Sequence, residues 1–397
     1  EVETIEYNRD KGIGVTVYLG QQKGYASTSD FSSAAVRDTV AAAIDIARFT
    51  AADPCAGLAD ASLMATAMPD LDLYHPWVLP VEAGIDLARR CEAAAFAVSP
   101  QVSNSEGASV STQEAHFISA NSHGFMGGYP TSRNYIACSV IAGEGDGMQR
   151  DDWYSTARSG AALASPEAIG DYAARRALAR MAGRKIKTCQ VPVLFEAPLA
   201  ASLIGSFVHA VSGGALYRKS SFLLDSLGQQ VFPDHVSISE RPFLPQGLAS
   251  GPFDNDGVAT RDREVVANGI LQGYFLSAYT ARKLGMQTTG NAGGCHNLLV
   301  RGGDLDFRGL LRQMGRGLLV TELLGHGVNY VTGDYSRGAA GYWVEGGEIC
   351  HPVEEITIAG NLRDMFRGIV AVGSDTLCRG SKQVGSILLD RMQVAGS

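Results

Sequence analysis

The sequence predicts an α+β protein, with a mixed strand and helix region first and a β-rich region last. Apolar residues make up 45% of the 397 residues and charged residues 19%, which is enough for a large core. Glycine occurs 47 times and proline 14 times, and this ratio favours tight turns and β-hairpins. Apolar and polar residues alternate through long parts of the chain, interrupted by a few segments with helical spacing. A chain of this length suggests about two to three domains.

Residues 1–30 begin the first predicted domain. Their apolar positions alternate with polar ones, and turn residues separate the runs, which fits two or three antiparallel strands. Asp30 or Ser32 can cap the helix that the spacing predicts next, in AAVRDTVAAAIDIARFT. The chain opens inside a strand without an initiator methionine, so we expect an N-terminal piece to precede it. We interpret 1–74 as the remainder of an N-terminal α/β domain.

The middle region, residues 75–187, is predicted to be rich in strands and bracketed by helices. The segment VEAGIDLARRCEAAAFAV, residues 81–98, has helical spacing. A second helix is predicted to begin at Pro166, because proline is favoured in a first turn, and to end at Gly183. The segments between these helices alternate apolar and polar residues as strands do.

Residues 188–397 are predicted to form a β-rich C-terminal domain. An early helix is indicated by LAASLIGSFVHAVSG, which ends in a glycine pair. Short strands follow, and Asn268-Gly269 and Gly346-Gly347 are typical centres of β-hairpins. Within this half the clearest helix is predicted over 306–325, where leucine and methionine recur at a three-to-four-residue spacing.

The charge and cysteine content exclude some classes of function. The formal net charge is −8, and no basic stripe is present, which argues against a nucleic-acid partner. The seven cysteines are odd in number and dispersed, with no CxxC, so we expect reduced thiols and no disulfide in a cytoplasmic protein. No apolar run reaches the roughly 18 residues of a membrane span, and no signal peptide is visible.

One short segment has the composition of a zinc-peptidase motif. Zinc peptidases hold the ion with two histidines on one helix face and a third ligand, and a glutamate acts as general base. In TELLGH, Thr321 takes the place of the first histidine, followed by Glu322 and His326. Positions 321 and 326 would lie about 140° apart on an ideal helix. Both could face one ion only if the last turn were distorted, which Gly325 would permit.

Two other segments are candidates for a substrate groove or an interface. Adjacent cysteine and histidine side chains, as in Cys295-His296, point to opposite faces of a strand and do not converge on one ion. The glycine-rich turn before them suggests close approach of a peptide or a partner chain. In TGDYSRG no nucleophile elbow is present, which favours a structural role. The candidate residues of the two segments are Gly293, Gly294, His296, Asp334, Tyr335, Ser336 and Arg337.

The chain resembles the TldD/PmbA family of peptidases, and in particular its PmbA branch, also called TldE. The stretches that carry the resemblance include GGALYRKSSFLLDSLGQQVFPD, VTELLGHGV and TGDYSRGAAGYWVEGGEICHPVEEITIAGNLRDMF, and it extends over essentially the whole sequence. It also implies that a few dozen N-terminal residues are absent here. In the TldD branch an HExxxH motif and a cysteine near the C-terminus bind zinc.

The resemblance implies a degenerate metal site in this chain. By position it assigns Glu322 to the general base, His326 to the second histidine and Thr321 to the first. Cys378 lies in the region of the metal-binding cysteine, with different flanking residues. Threonine is a poor zinc ligand beside imidazole or thiolate, so we expect no zinc and no cofactor in this chain, with His326 and Cys378 as the only metal candidates. The open alternative is a two-ligand metal site with Glu322 as base.

The function implied by the resemblance is that of one subunit in a TldD–TldE zinc metalloprotease. The TldD subunit would supply the zinc, and the substrates would be peptides and unfolded small proteins. Two alternatives stay open. One is a self-sufficient homodimeric metallopeptidase with a non-standard site, which the metal content of the isolated chain would reveal. The other is a regulatory binding protein acting on modulators of DNA gyrase.

Overall fold

The computed structural model describes residues 2–396, and it confirms the predicted α+β class. In the N-terminal region β1 (Ile13–Leu19) and β2 (Gln22–Thr28) form an antiparallel hairpin. Helix α1 (Ser33–Phe49) packs on this hairpin. The Ser32 side chain accepts a hydrogen bond from the N–H of Ala35, so Ser32 is the cap of this helix. The domain boundaries predicted above stay predictions.

The middle region is a three-stranded antiparallel sheet with two helices on one face. Its order is β3–β4–β5, and a small apolar core lies between the sheet and the helices. Pro166 lies in the first turn of the second helix, as predicted, and Ser165 caps that helix. The helix ends at Ala179, before the predicted Gly183. The elements are α2 (Val81–Val98), β3 (Val102–Ala120), β4 (Met126–Ala142), β5 (Gln149–Ala157) and α3 (Pro166–Ala179).

The C-terminal region is rich in strands, as predicted. Both predicted hairpins are confirmed, and Asn268, Gly269, Gly346 and Gly347 all have positive φ. The elements are β6 (Cys189–Phe195), α4 (Ala197–Ala210), α5 (Gly213–Tyr217), β7 (Ile238–Glu240), β8 (Arg263–Ala267), β9 (Ile270–Leu271), α6 (Ala278–Lys283), β10 (Leu298–Val300), α7 (Phe307–Met314), β11 (Gly317–Leu324), β12 (Asp334–Glu345), β13 (Glu348–Asn361), α8 (Leu362–Arg367), β14 (Ile369–Val372), β15 (Leu377–Cys378), β16 (Lys382–Val384) and β17 (Ile387–Ala395).

Two sheets organise this region. The first runs β13–β12–β11–β6–β17–β14, and an additional pairing of β13 with β17 closes it into a barrel. The second is open and runs β15–β16–β10–β7–β8–β9. One face of the barrel strands packs against α4 and the second sheet in the main core. The other face packs against α7 in a smaller core. Both faces of the central strands are therefore buried.

The helix predicted over 306–325 is wrong in its second half. Helix α7 ends at Met314, and Gly315 follows it with φ 66°, a left-handed conformation that stops a helix. The chain then enters β11, whose side chains alternate between the two cores: Leu318 and Val320 face α4, and Leu319 faces α7. Because both faces are apolar, the strand carries a continuous apolar run that periodicity does not separate from a helix.

None of the helices in the described part of the chain is both long and apolar enough to cross a membrane.

Candidate functional site

The TELLGH segment lies on a strand and the loop after it, not on a helix. Thr321 and Glu322 belong to β11, and the pairing with β12 shifts by one residue between Val320 and Glu322. Thr321 is therefore a β-bulge residue. The chain leaves the strand at Gly325, with φ 74°, and His326 is exposed in the loop. The helical geometry that would bring positions 321 and 326 to one ion is absent from this segment.

Glu322 is paired with an arginine of the middle region. Its carboxylate accepts a hydrogen bond from Arg180, the C-cap residue directly after α3. The Arg180 guanidinium also lies 3.6 Å from Asp151 and donates to the Arg150 carbonyl at 2.9 Å. The side chain of Arg180 is only 14% exposed, so this contact is largely shielded from water. Glu322 holds a guanidinium here and is not directed at an open metal site.

A second arginine extends this contact into a cluster. Arg176 donates two hydrogen bonds to Glu196, at 2.9 and 3.0 Å, and one to Asp151 at 3.0 Å. Glu196 follows β6 and lies beside the end of β11, because its N–H donates to the Val320 carbonyl. We call these five side chains the ion cluster: Asp151, Arg176, Arg180, Glu196 and Glu322.

Burial and ion pairing have opposite effects on the pKa values of the ion cluster. Burial raises the pKa of the Glu196 carboxyl, and the hydrogen bonds and charge of Arg176 oppose that rise. Burial alone would lower the pKa of Arg176, but Glu196 and Asp151 outweigh it and raise that pKa above its ordinary value. Burial also raises the pKa of the neighbouring Tyr342 to about 12. The cluster is a closed, charge-compensated contact between the middle region and the barrel.

Cys378 and His326 belong to different parts of the C-terminal region, since His326 follows β11 of the barrel. Cys378 lies on β15, at the edge of the second sheet, and its thiol donates to the Gly380 carbonyl at 3.6 Å. The next residue, Arg379, stacks on the middle region, with its guanidinium 3.9 Å from the Trp153 ring centroid and 3.8 Å from that of Tyr154. Within the described residues no group of three or more His, Cys, Asp or Glu side chains could hold a metal ion.

A helical zinc motif is not present elsewhere in the described chain. His209, on α4, is the only histidine on a described helix. Its ring stacks on Tyr330 with the centroids 4.0 Å apart, and burial lowers its pKa. The same helix carries no carboxylate. The residues present therefore do not fit a zinc ion of the HExxxH type.

The candidate His296 is fixed by backbone groups. Its Nδ1 lies 3.2 Å from the Ala249 carbonyl oxygen, and its Nε2 lies 3.1 Å from that of Gly290. Its backbone N–H donates to the buried carboxylate of Glu240 at 2.7 Å. Since both ring nitrogens face carbonyls, neither is available as a metal ligand. Gly293 and Gly294, with φ 104° and 120°, form the turn before it.

The candidates at 334–337 lie at the start of β12, in the barrel rather than the second sheet. Asp334 accepts a hydrogen bond from Thr332 at 2.6 Å, and the Ser336 N–H donates to the Gly327 carbonyl at 2.7 Å. Tyr335 is buried, which raises its pKa to about 12. The Nε of Arg337 is buried and has no hydrogen-bond partner among the described residues. The Asp334 side chain and the Ser336 backbone therefore hold the 327–333 turn, whereas His296 lies in the loop before β10 of the second sheet.

Most of the ion cluster was missed by sequence reasoning. Asp151 lies on β5, Arg176 on α3, Arg180 at the C-cap of α3 and Glu196 between β6 and α4, and no short motif joins them to Glu322. Two surface clefts lie elsewhere, along residues 68–77. One, of about 370 Å³, is lined by 68–74, 128–130 and Pro252. The other, of about 580 Å³, is lined by 74–77 and 159–161.

Comparison with known proteins identifies the family. Residues 188–396 match the PmbA/TldA metallopeptidase C-terminal domain, 74–181 the central domain and 1–47 domain 1. The fold and these matches define a protein of the metallopeptidase class. The chain belongs to the PmbA/TldA metallopeptidase family.

Curated relatives carry protease names. The chain is 49% identical over 396 residues to the metalloprotease PmbA of Escherichia coli O157:H7, covering 100% of this chain and 88% of that protein. It is 50% identical over 401 residues to the metalloprotease PmbA homolog of Haemophilus influenzae, with the same coverage.

Solved structures share the fold over nearly the whole chain. A protein described as a proposed modulator of DNA gyrase, from Bacteroides thetaiotaomicron, has a TM-score of 0.92 at 27% identity, covering 97% of this chain and 88% of that one. TldE from Thermococcus kodakarensis has a TM-score of 0.78 at 19% identity, covering 97% and 94%. At that identity the second likeness shows the fold alone.

Proposed function

We propose that this chain is the PmbA/TldE-type subunit of a two-subunit zinc metalloprotease. A TldD-type partner would hold the zinc, and the complex would cleave peptides and unfolded small proteins in the cytoplasm. The family membership supports the protease assignment. The seven free thiols are what a reducing compartment favours.

One observation carries the division of labour between the subunits. The only glutamate of the HExxxH-like segment is paired with Arg180, and no described helix carries two histidines. A chain without these ligands needs another subunit to supply the metal if the complex is a zinc peptidase. This chain would then contribute walls of the substrate chamber, built by the barrel and the middle sheet.

The test is co-expression with the TldD-type protein of the same organism. We expect a complex of the two chains in light scattering, and cleavage of an unfolded substrate by the complex but not by this chain alone. Elemental analysis should find far less than one zinc per molecule in the isolated chain. A Glu322→Gln change here should leave the activity of the complex within a few-fold, whereas the matched Glu→Gln change in the partner's motif should abolish it.

Two results would overturn the proposal. One is a chain that stays monomeric and inactive when the partner is present. The other is stoichiometric zinc and peptidase activity in the isolated chain, which would make it a self-sufficient metallopeptidase.

A further inference from the structure

One irregular segment, residues 68–77, forms a wall of both surface clefts. Its buried side chains Leu71 and Leu73 anchor it to the protein. The Leu73 carbonyl accepts a hydrogen bond from the N–H of Ser132 on β4 at 2.9 Å, and the Leu71 carbonyl accepts one from the N–H of Gln246 at 2.8 Å. The segment is therefore fixed between the middle sheet and a loop of the C-terminal region. Because this wall is fixed, a ligand does not have to order it on binding.

Proline and aromatic side chains line the two clefts. Tyr74 belongs to the lining of both, so the clefts adjoin at its ring. The other proline and aromatic residues of the lining are Pro69, Tyr129, Pro130 and Pro252 in the cleft of about 370 Å³, and Pro76 and Trp77 in the cleft of about 580 Å³. Grooves lined by aromatic side chains are the surfaces on which proteins bind proline-rich segments in the polyproline II conformation.

The rings in the clefts are held in position by their neighbours. The Trp77 ring lies against the backbone of Gly160, where an added Cβ would come within 2.6 Å of the ring. The Tyr129 ring packs edge-on against Phe253, with the centroids 5.5 Å apart. Trp77, Tyr129 and Tyr74 are all half-buried. Each ring is thus fixed on one side and accessible on the other, as a stacking surface for a ligand requires.

The charged side chains of the clefts are acidic. Within the described residues, neither lining contains a lysine or an arginine. Asp70 is exposed, and its carboxylate accepts a hydrogen bond from the Asp72 N–H at 2.9 Å. The Glu114 carboxylate accepts one from the Tyr74 hydroxyl at 2.8 Å, beside the ring that both clefts share. The one basic side chain, His75, already lies 3.0 Å from Asp72. These charges favour a basic ligand over an acidic one.

We propose that the two clefts form one binding groove for a proline-rich segment of another protein, in the polyproline II conformation and with a basic residue at the Asp70 end. This inference goes beyond the protease assignment, since the groove is complete in this chain alone. Polyproline II has about three residues per turn and rises about 3.1 Å per residue. Side chains one turn apart, roughly 9 Å, would then enter the clefts on the two sides of Tyr74.

Three fluorescent decapeptides test the ligand class by anisotropy with the purified chain. The first has one terminal arginine and proline at every second or third position. In the second, glutamate replaces the arginine, and binding should be about fivefold weaker because the charge complementarity is lost. In the third, alanine replaces every proline, and binding should be at least about tenfold weaker because the peptide is no longer preorganised.

Two results with these peptides would overturn the proposal. One is no binding of the first peptide up to about 1 mM. The other is equal binding of the first and third peptides, which would mean that the groove accepts any apolar segment.

Two substitutions locate the site. Asp70→Asn keeps an acceptor for the Asp72 N–H, and it should weaken the arginine peptide about threefold without weakening the glutamate peptide. Tyr74→Ala should weaken both at least about tenfold, since it removes the ring shared by the clefts. Asp304→Asn, at an exposed aspartate outside both linings, is the matched control and should change neither. Circular dichroism shows whether each variant is folded, and Asp70→Asn tests the groove even if Tyr74→Ala does not fold.

A photoreactive residue in the middle of the first peptide gives an independent location. After irradiation, mass spectrometry of proteolytic fragments should find the peptide attached to 68–77 or 128–130. Attachment to β3, which lies at the edge of the middle sheet, would show instead that the peptide adds as a strand. That result, or a folded Asp70→Asn chain that binds the arginine peptide as tightly as wild type, would contradict the groove.

Discussion

At the scale of single residues, Glu322 has the sequence context of a general base in a metal motif, but in the fold it forms an ion pair. Its neighbours in sequence resemble a metal motif, while its neighbour in space is Arg180. Under the proposed function the partner's glutamate is the general base, and the pairing with Arg180 directs this carboxylate into a contact between two regions of the chain. Its contribution is to the contact between the middle region and the barrel.

Replacing Glu322 by glutamine should therefore lower stability rather than catalysis. The side chain of Glu322 is 32% exposed and that of Arg180 14%, so solvent screens part of the pair. We expect the free energy of unfolding to fall by about 1–2 kcal/mol, less than for a fully buried pair. Urea titration measures it. Glu348→Gln, at an exposed glutamate with no ion pair in the described structure, should change it by less than about 0.5 kcal/mol.

Asp254 provides a pH-dependent prediction. Burial raises the pKa of its carboxyl to about 6, despite hydrogen bonds from the N–H groups of Asp256, Val258 and Ala292. The folded pKa is above the unfolded value near 3.9, so the protonated form is favoured by folding. That contribution is fully present below about pH 4 and is lost as the pH rises through about 6. The unfolding free energy should fall by about 2–3 kcal/mol across this window.

The variant Asp254→Asn tests this by removing the titration. Its unfolding free energy, measured in urea from pH 4 to 7, should lack the fall seen in wild type. The asparagine also costs stability at every pH, since its amide cannot accept one of the three backbone hydrogen bonds, so the slope is the quantity to compare. Asp304→Asn, at an exposed aspartate whose side chain makes no hydrogen bond within residues 2–396, should keep the wild-type slope. Identical slopes for wild type and Asp254→Asn would refute the assignment.

At the scale of elements, the sequence predicted the type of most helices and hairpins and failed at one junction. The signals that succeeded are local: Ser32 and Pro166 at helix starts, and Asn268-Gly269 in a hairpin. The failure at Gly315 has a physical cause. A strand buried on both faces has no polar side, and nothing in its own sequence shows that its partners are β6 and β12.

The candidate site was predicted less well for a related reason. The contacts that decide the role of Glu322 come from α3, more than a hundred positions earlier in the sequence. Such a partner has no fixed spacing, so a motif cannot encode it. The family itself was recognisable because its stretches extend over the whole chain.

The bulge in β11 requires a glycine on the neighbouring strand. A Cβ at Gly341 would lie 1.9 Å from the Leu319 carbonyl oxygen, which is backbone and cannot move aside. We expect Gly341→Ala to destabilise the fold by more than about 3 kcal/mol, with loss of soluble protein as the visible outcome. Gly380→Ala, where no atom lies within 4 Å of the added Cβ, should be nearly neutral. A stable, soluble Gly341→Ala chain would show that the strands can separate here.

At the scale of the whole molecule, the ion cluster and Arg158 hold the middle region on the C-terminal region. Arg158 is buried and donates to the carbonyls of Ser132, Gly247 and Leu248, thereby joining β4 to a loop of the C-terminal region. Arg176 joins α3 to the end of β6 through its ion pair with Glu196. The proposed two-subunit chamber needs walls of fixed orientation, and these contacts fix the orientation of the middle region against the C-terminal region.

Removing Arg176 should uncouple the two regions. Arg176→Met leaves Glu196 buried without its cation and Asp151 with Arg180 alone, and losing one partner of a buried pair costs about 3–5 kcal/mol. The Trp153 ring lies 5.2 Å from this guanidinium, so its fluorescence reports the contact once Trp77 and Trp343 are replaced by phenylalanine. We expect the Trp153 signal to change at a lower urea concentration than the unfolding of the barrel, whereas wild type should show one transition.

Arg175→Met is the matched control, since the neighbouring Arg175 makes only an exposed pair with Asp171 and its loss should cost less than about 0.5 kcal/mol. The double variant Arg176→Met with Glu196→Gln removes both charges and should recover at least about 1 kcal/mol of the loss. If Arg176→Met unfolds in one transition with wild-type stability, the ion cluster does not couple the regions, and their orientation depends on the other contacts alone.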